Sequence, residues 1–487
     1  MPVNTKNQEY LDNLPLWTIV RDCIKGEHAI KKIPAVYLPK LPGHSDKDYE
    51  AYLNRTHFYM ATARSADIFY GHIFTSQPKQ SGDTPELFAQ FLKNVNNEGK
   101  NIDQFASDLV WDIIQTGWGG ILADHAPVPQ GISQGDKERM GLTAFMKYYV
   151  AESIINWRYD TINHRQTLSL VVLEENYAEI DDDEFNPIQK KRYRVLRLRN
   201  NGALIYTQQE YLAVKNKGKN VTEYIPGEEI IPMLEGKPLD FIPFFTCPGT
   251  SPENSPLLGI AYENIGHYQK SADKENALHF SGNPTAYVAG MEAPRDKKTG
   301  DPIPMKLGGA DFVFFYNDDK NSSGVPIIPH IGYLEISGSG VQLLLQEIGA
   351  TESRMVKMAG QSISQEPKGV EAAATARIHR AGENAVIGSF SLNIIEQIVP
   401  AVRLAARWCG VPETITEQWS MSFNVEYSSD LSPEEKSRFA MNEVGDGLMS
   451  KRRYLTDVSG LSESEADEEL QRIQKEEGGN LTTLEDE

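Results

Sequence analysis

Cysteine is nearly missing from this chain: three residues in 487, Cys23, Cys247 and Cys409, isolated and odd in number. That excludes a disulfide framework and a zinc site of paired thiolates, and it fits a reducing compartment in which all three are plain core thiols. No run approaches the roughly 18 consecutive apolar residues of a membrane span, and Met1 to Tyr10 is polar with no apolar signal region, so the expectation is an intracellular product. Basic charge is also scarce, 48 Lys and Arg against 68 Asp and Glu, a formal balance of −20. A protein that grips nucleic acid by counterion release needs clustered cations. Only Lys190 to Arg199 and Lys451-Arg452-Arg453 offer any, which argues against static nucleic-acid binding. Part of the acidic excess lies in Ser462 to Glu487, with ten acidic and two basic residues, read as a solvated end that is disordered over 478–487.

Catalytic patterns are missing too. There is no Gly-rich Lys-Ser/Thr phosphate loop. His267 and His279 share one predicted helix twelve residues apart, without the carboxylate pattern of a zinc protease, and are read as satisfied or solvent-facing histidines. Asp181-Asp182-Asp183-Glu184 lacks the alternation and glycine of a calcium loop and is read as a solvated turn. Ser337 and Ser339 miss the spacing of a nucleophile elbow. No acid, base or nucleophile can be named, so the chain is not expected to be an enzyme, and no cofactor or metal is expected.

What is present is periodicity of two kinds. Ser45-Asp46-Lys47-Asp48 reads as a capping box opening a helix that continues to about Phe74. Pro85 starts another, and Asp103 to Thr116 a third. From Tyr148 to Tyr224 the period becomes two, predicting strands over Thr167–Glu174, Tyr193–Arg199, Ala203–Thr207 and Tyr211–Lys215, with a hairpin at Asn200-Asn201-Gly202. The basic run Lys190 to Arg199 puts Arg192 and Arg194 on one face and Arg197 and Arg199 on the other, and is read as a solvated sheet edge. Pro243 to Pro256 reads as a proline-rich linker. A helix over Leu257–Phe280 follows, then strands at Thr285–Ala289 and Asp311–Tyr316 joined by the polar loop Arg295–Asp301.

The stretch Ser337 to Gly410 then carries two helical runs. The first places Val341, Leu344, Leu345, Ile348, Met355 and Ala359 on one stripe, interrupted by the polar Glu352. The second places Ile378, Ala381, Ala385, Gly388, Leu392, Ile395, Val399, Val402 and Ala406 along a seam of small and apolar residues. Its part before Pro400 spans roughly 40 Å, and Pro400 should end or kink it. A strand over Met421–Tyr427 and helices opening at Ser432, Ser450 and Ser462 close the chain. The predicted class is α+β.

The order of these elements resembles the portal proteins of tailed bacteriophages. Local phrases agree: Val36-Tyr37-Leu38-Pro39-Lys40-Leu41-Pro42-Gly43, Tyr52-Leu53-Asn54-Arg55, His267-Tyr268-Gln269-Lys270-Ser271-Ala272-Asp273 and Leu278-His279-Phe280-Ser281-Gly282-Asn283-Pro284 are similar to a portal-like phage family catalogued as a domain of unknown function. The resemblance runs from about Ile33 to Leu470. It implies a wing region over 1–256 (helices, then antiparallel β), a stem helix over 257–280, a clip over 281–336, a returning stem helix over 337–359, a tunnel loop over 360–369, a long helix and wing strand over 370–430, and a helical crown over 431–477. It further implies a ring, usually of twelve subunits, at one capsid vertex of the virion, assembled in the host cytoplasm, through which double-stranded DNA is packaged and ejected without sequence-specific contacts. Implied partners are the terminase large subunit, a head-tail adaptor and the major capsid or scaffolding protein, with no membrane. Gln361, Ser362, Ser364, Gln365, Glu366 and Lys368 would line the DNA channel, and Arg295, Lys297 and Lys298 would dock the motor. The alternatives are a cytosolic α+β enzyme of another type and a non-portal oligomeric scaffold.

Overall fold

The structure is a computed structural model that describes residues 2–125, 143–179, 185, 187–200, 202–215, 222–282, 285–290, 293–301, 303, 306–307, 310–311, 313–315, 330–334, 338–359, 370–423, 433–445, 449–459 and 466–473. Helices and six small sheets alternate along the described chain, which makes the fold α+β. Two compact units divide it: Met1–Glu366 with Ala385–Asn424, and Pro367–Asn384 with Val425–Glu487.

In the first unit the chain opens with α1 (Gln8–Lys25), α2 (Glu27–Lys32), α3 (Pro34–Tyr37), α4 (Asp46–Arg55), α5 (Ala61–Ile73), β1 (Lys79–Ser81), α6 (Glu86–Lys93) and α7 (Ile102–Thr116). Then come β2 (Gly119–His125) and β3 (Ala144–Val150), followed by β4 (Ile154–Ile162), β5 (Arg165–Glu179), β6 (Ile188–Asn200), β7 (Leu204–Lys215) and β8 (Thr222–Ile230). The last five make an antiparallel meander in that order. A small ribbon, β9 (Met233–Leu234) with β10 (Lys237–Pro238), leads to β11 (Phe244–Cys247), which pairs antiparallel with β2 and leaves β2 between β11 and β3. Next are α8 (Leu258–Gly282), β12 (Thr285–Ala289), β13 (Lys306–Leu307), β14 (Ala310–Asp311), β15 (Val313–Phe315), β16 (His330–Leu334), α9 (Gly338–Met358) and the 39-residue α10 (Val370–Trp408). The unit closes with α11 (Glu413–Thr416) and β17 (Ser420–Ser422), which returns to pair with β1. The second unit holds α10 up to Asn384, α12 (Pro433–Gly445), α13 (Lys451–Asp457) and a helix over 466–473. Within it the Ser437 and Tyr454 hydroxyls, 2.9 Å apart, tie α12 to α13.

Local chemistry accounts for the element ends. Ser45 and Asp48 form the expected capping box of α4, and Asn101 with Gln104 forms another at α7. Gly117 ends α7 in the left-handed region at φ 69°, where a Cβ would also fall 2.3 Å from the Glu253 carbonyl oxygen. Ser450 caps α13 as expected. The three cysteines are free; burial pushes the Cys23 thiol up to about 12 and raises those of Cys247 and Cys409 as well.

Several expectations are corrected. The polar start holds α1, capped by the Asn7 side chain and burying Tyr10, Trp17, Val20 and Cys23. The helix expected from Asp46 to Phe74 breaks into α4 and α5: Thr56 is extended, its hydroxyl bonds the Tyr52 carbonyl, and the Phe58 N–H donates to Glu27. The strands expected at Ala203–Thr207 and Tyr211–Lys215 are the single strand β7. The linker Pro243–Pro256 contains β11, and Ser255 Oγ donates to the Ile114 carbonyl at 2.7 Å. Pro400 does not end α10, which runs eight residues past it. The seam of α10 holds in part: Gly388, Val402 and Ala406 are buried as expected, but Ile395 and Val399 are half-buried and Leu392 is 61% exposed. Between them Ile387, Ser391, Ile394, Ile398 and Ala401 are buried, one residue off and about 100° round the helix. Both registers are apolar, and what packs against the helix chooses between them. Val341, Ile348 and Met355 on α9 and Ala359 just past its end are buried as expected, but Leu344 is half-buried and Leu345 is exposed. Of the strand expected over Met421–Tyr427, Met421 and Ser422 lie in the strand Ser420–Ser422, and residues 424–427, like Asp181 to Glu184, lie outside the described residues.

The basic run is not a solvated edge. Lys190 to Arg199 lies on β6, third of five strands, because β7 and β8 continue the meander beyond it. Arg192 and Arg194 share a face as predicted and turn towards the β2–β3 sheet. Arg192 Nε meets Glu175 Oε2 at 2.7 Å, and Arg194 reaches Glu175 at 3.3 Å, Glu210 at 2.9 Å and Asp124 at 3.5 Å. Lys147 Nζ and the Tyr149 hydroxyl, from β3, also donate to Glu175, at 2.9 and 2.5 Å. Burial alone would raise Glu175, but Arg194, Lys147 and the Tyr149 hydrogen bond outweigh it and hold the carboxyl down at about 2. Three cations thus face three carboxylates between two sheets, and an internal charge balance replaces the external partner that a basic patch suggests.

Candidate functional site

The stretch that carries the resemblance folds into an antiparallel helix pair with a small β module at its turn. Contacts between α8 and α9 run in opposite directions along the two helices: Glu263 Oε2 with Arg354 at 3.2 Å, His267 Nε2 with Glu352 Oε1 at 3.0 Å, and Lys270 Nζ with the Thr351 hydroxyl at 2.8 Å. Thr351 is fully buried, and its hydroxyl donates on to the Glu347 carbonyl. Glu352, the polar interruption of the α9 stripe, is therefore the partner of His267. The histidine is 5% exposed, lies 5.1 Å from the Tyr59 ring, and has Ser271 Oγ 3.4 Å from its Nδ1.

The other residues of the His267 to Asp273 phrase fasten α8 to the N-terminal helices. Tyr268 is buried edge-on to Phe58 at 5.6 Å, its phenol raised to about 12 by burial and the nearby carboxylate of Glu27. Gln269 Nε2 donates to the Tyr37 carbonyl at 3.0 Å, and the Tyr52 hydroxyl donates to Asp273 Oδ1 at 2.6 Å. Burial and Asp273 together push the Tyr52 phenol well above its ordinary range. One turn earlier, Asn264 Oδ1 accepts from the Thr62 N–H and hydroxyl. Thus the break between α4 and α5, which the sequence pattern missed, delivers Phe58, Tyr59 and Thr62 to α8. The signal was Thr56 within an apolar-periodic run, a residue whose hydroxyl competes for backbone carbonyls.

In the module β12 is the middle strand, parallel to β15 and antiparallel to β16. Ala286 and Val288 are buried, and the Tyr287 ring lies over Gly332, where a Cβ would come within 2.8 Å of it. The loop beyond β12 forms a closed turn. The Ile303 N–H donates to the Pro294 carbonyl at 2.6 Å, the Asp296 N–H to Asp301 at 2.8 Å, and the Gly300 N–H to Asp296 at 2.9 Å. Arg295, Lys297 and Lys298 are all exposed on this turn. The other site residues, Gln361, Ser362, Ser364, Gln365, Glu366 and Lys368, lie outside the described residues, so their placement relative to the turn is not defined.

Comparison with known proteins falls on this same region. A family model described as Domain of unknown function (DUF4055) matches residues 256–409, from the start of α8 to the end of α10. No curated protein matches the chain. Among solved structures, a chain of "Neck of empty GTA particle computed with C6 symmetry" aligns over 86% of this chain and 94% of its own length, at 12% identity and a TM-score of 0.38. A superposition of that quality does not establish a common fold. Among the described residues no three His, Cys, Asp or Glu side chains gather as a metal site, and no helix is long and apolar enough to cross a membrane.

Proposed function

We propose that the chain is the subunit of a portal-type ring at one capsid vertex, through which double-stranded DNA passes during packaging and ejection. The observation that carries this reading is the unit α8, β module, α9, with its helices antiparallel and cross-bonded, followed by a helix of 39 residues. That is the succession of stem, clip, stem and long helix which the sequence resemblance implies, and it coincides with the family match over 256–409. A net charge of −20 suits a channel in which DNA must slide, since each phosphate contact adds affinity and salt dependence.

In this reading α8 and α9 form the stem, the module is the clip that meets the terminase motor and later the adaptor, and 360–369 is the tunnel loop. Negative-stain images of the purified protein should show closed rings with a central hole, of about 0.65 MDa for twelve 54.5-kDa chains. Only monomers or dimers, both alone and with capsid scaffold present, would refute it. Replacing 361–368 by a short Gly-Ser linker should leave rings intact and impair DNA translocation or retention. Wild-type filling by that variant removes the loop from the channel.

A further inference from the structure

The exposed turn Pro294–Ile303 carries three cations, and the hydrogen-bond pattern divides them into two kinds. Arg295 is committed within the turn: its Nη1 donates to the Gly300 carbonyl at 3.2 Å, bracing the residue whose φ of 76° lets the chain reverse. Asp296 is committed as well, since its Oδ1 accepts the Lys298 N–H at 2.7 Å, and the Thr299 hydroxyl accepts the Asp301 N–H at 3.4 Å. Among the described residues no ion pair or hydrogen bond engages the ammonium of Lys297 or Lys298. Two lysines at consecutive positions therefore stand exposed on a turn closed by backbone hydrogen bonds, in a chain of net charge −20.

We infer that Lys297 and Lys298 are the contact residues of this turn for an acidic protein segment, and that Arg295 is a positioning residue that holds the turn in shape. The place of the contact in the particle rests on the ring reading; the chemistry of the turn does not. A phosphate backbone is the weaker fit. Asp296 and Asp301 flank the lysines and leave the turn a net charge of only about +1, whereas duplex DNA presents a continuous line of charge that rewards clustered cations. Carboxylates on a protein are discrete and can meet two ammonium groups while avoiding the flanking aspartates.

The test uses the full-length protein with two labelled probes, a decaglutamate peptide and a 12-base-pair duplex, titrated by fluorescence anisotropy at low salt. Wild type should bind the peptide more tightly than the duplex. K297A/K298A should weaken the peptide about tenfold, the loss of two exposed ion pairs at the favourable end of their range, with an unchanged melting temperature. K297R/K298R should bind as wild type, because the charge is kept. Arg295→Ala should lower peptide affinity while also exposing the turn to limited proteolysis, which the lysine variants should not do. Peptide affinity unchanged in K297A/K298A overturns the inference, as does tighter binding of the duplex. Failure to see rings by negative stain, both alone and with capsid scaffold present, while lysine-dependent peptide binding persists refutes the portal reading and leaves this one standing.

Discussion

Glu175→Gln should destabilise the protein by about 3 kcal/mol at neutral pH, and the penalty should disappear in acid. The carboxylate side chain is 3% exposed and accepts from Tyr149, Lys147, Arg192 and Arg194. Gln keeps the shape but removes the charge, leaving three cations against the two carboxylates of Asp124 and Glu210. Breaking one partner of a buried ion pair costs about 3–5 kcal/mol. The proton equilibrium gives a second route to the same figure: an ordinary value of 4.5 held at about 2 in the folded chain is worth on the order of 3 kcal/mol. Because the folded value is depressed, that contribution is fully present above about pH 4.5 and is lost as pH falls through about 2. Urea unfolding followed by tryptophan fluorescence, with the Trp118 and Trp157 rings 5.3 Å apart and tilted by 40° as reporters, should show wild type and variant far apart at pH 7 and converging by pH 2.5. A gap below about 1 kcal/mol at pH 7, or one that stays constant down to pH 2.5, refutes the network as a buried, net-stabilising cluster.

Asp112 predicts the opposite slope. Burial raises it to about 6 despite Arg21 at 2.8 Å, which it shares with Glu152, while the guanidinium itself is held charged by both carboxylates. A raised acid contributes fully below its unfolded value of 3.8 and loses that contribution as pH rises through about 6, so between pH 4 and pH 7.5 stability should move in favour of Asp112→Asn by on the order of 3 kcal/mol; parallel unfolding curves at the two pH values would remove the claim. Tyr52→Phe, which deletes the 2.6 Å bond to Asp273 between α4 and α8, should cost about 1.5 kcal/mol in urea midpoints, and no change would show that the bond does not fasten the two helices. Ile394→Ala should cost about 3 kcal/mol and Leu392→Ala under about 0.5 kcal/mol in the isolated chain; equal costs would restore the other register of the α10 seam.

Sequence alone determined what depends on nearest neighbours. The Ser45/Asp48 box, the Ser450 cap and the hairpin with Gly202 at φ 93° all formed as read, because each is decided by a few consecutive residues. The order of helix, β module and returning helix was legible for the same reason, since periodicity survives whatever packs outside it. Tertiary structure alone decided which surface of each element is covered. Arg192 and Arg194 read as a solvated edge until β7 and β8 placed their strand third of five, opposite Glu175 and Asp124. Glu352 read as an interruption until α8 brought His267 within 3.0 Å. Leu392 and Ile394 are equally apolar and two residues apart, yet only Ile394 is buried. Spacing fixes that a helix has apolar faces, but burial is a property of two surfaces, and the second surface comes from residues distant in the chain.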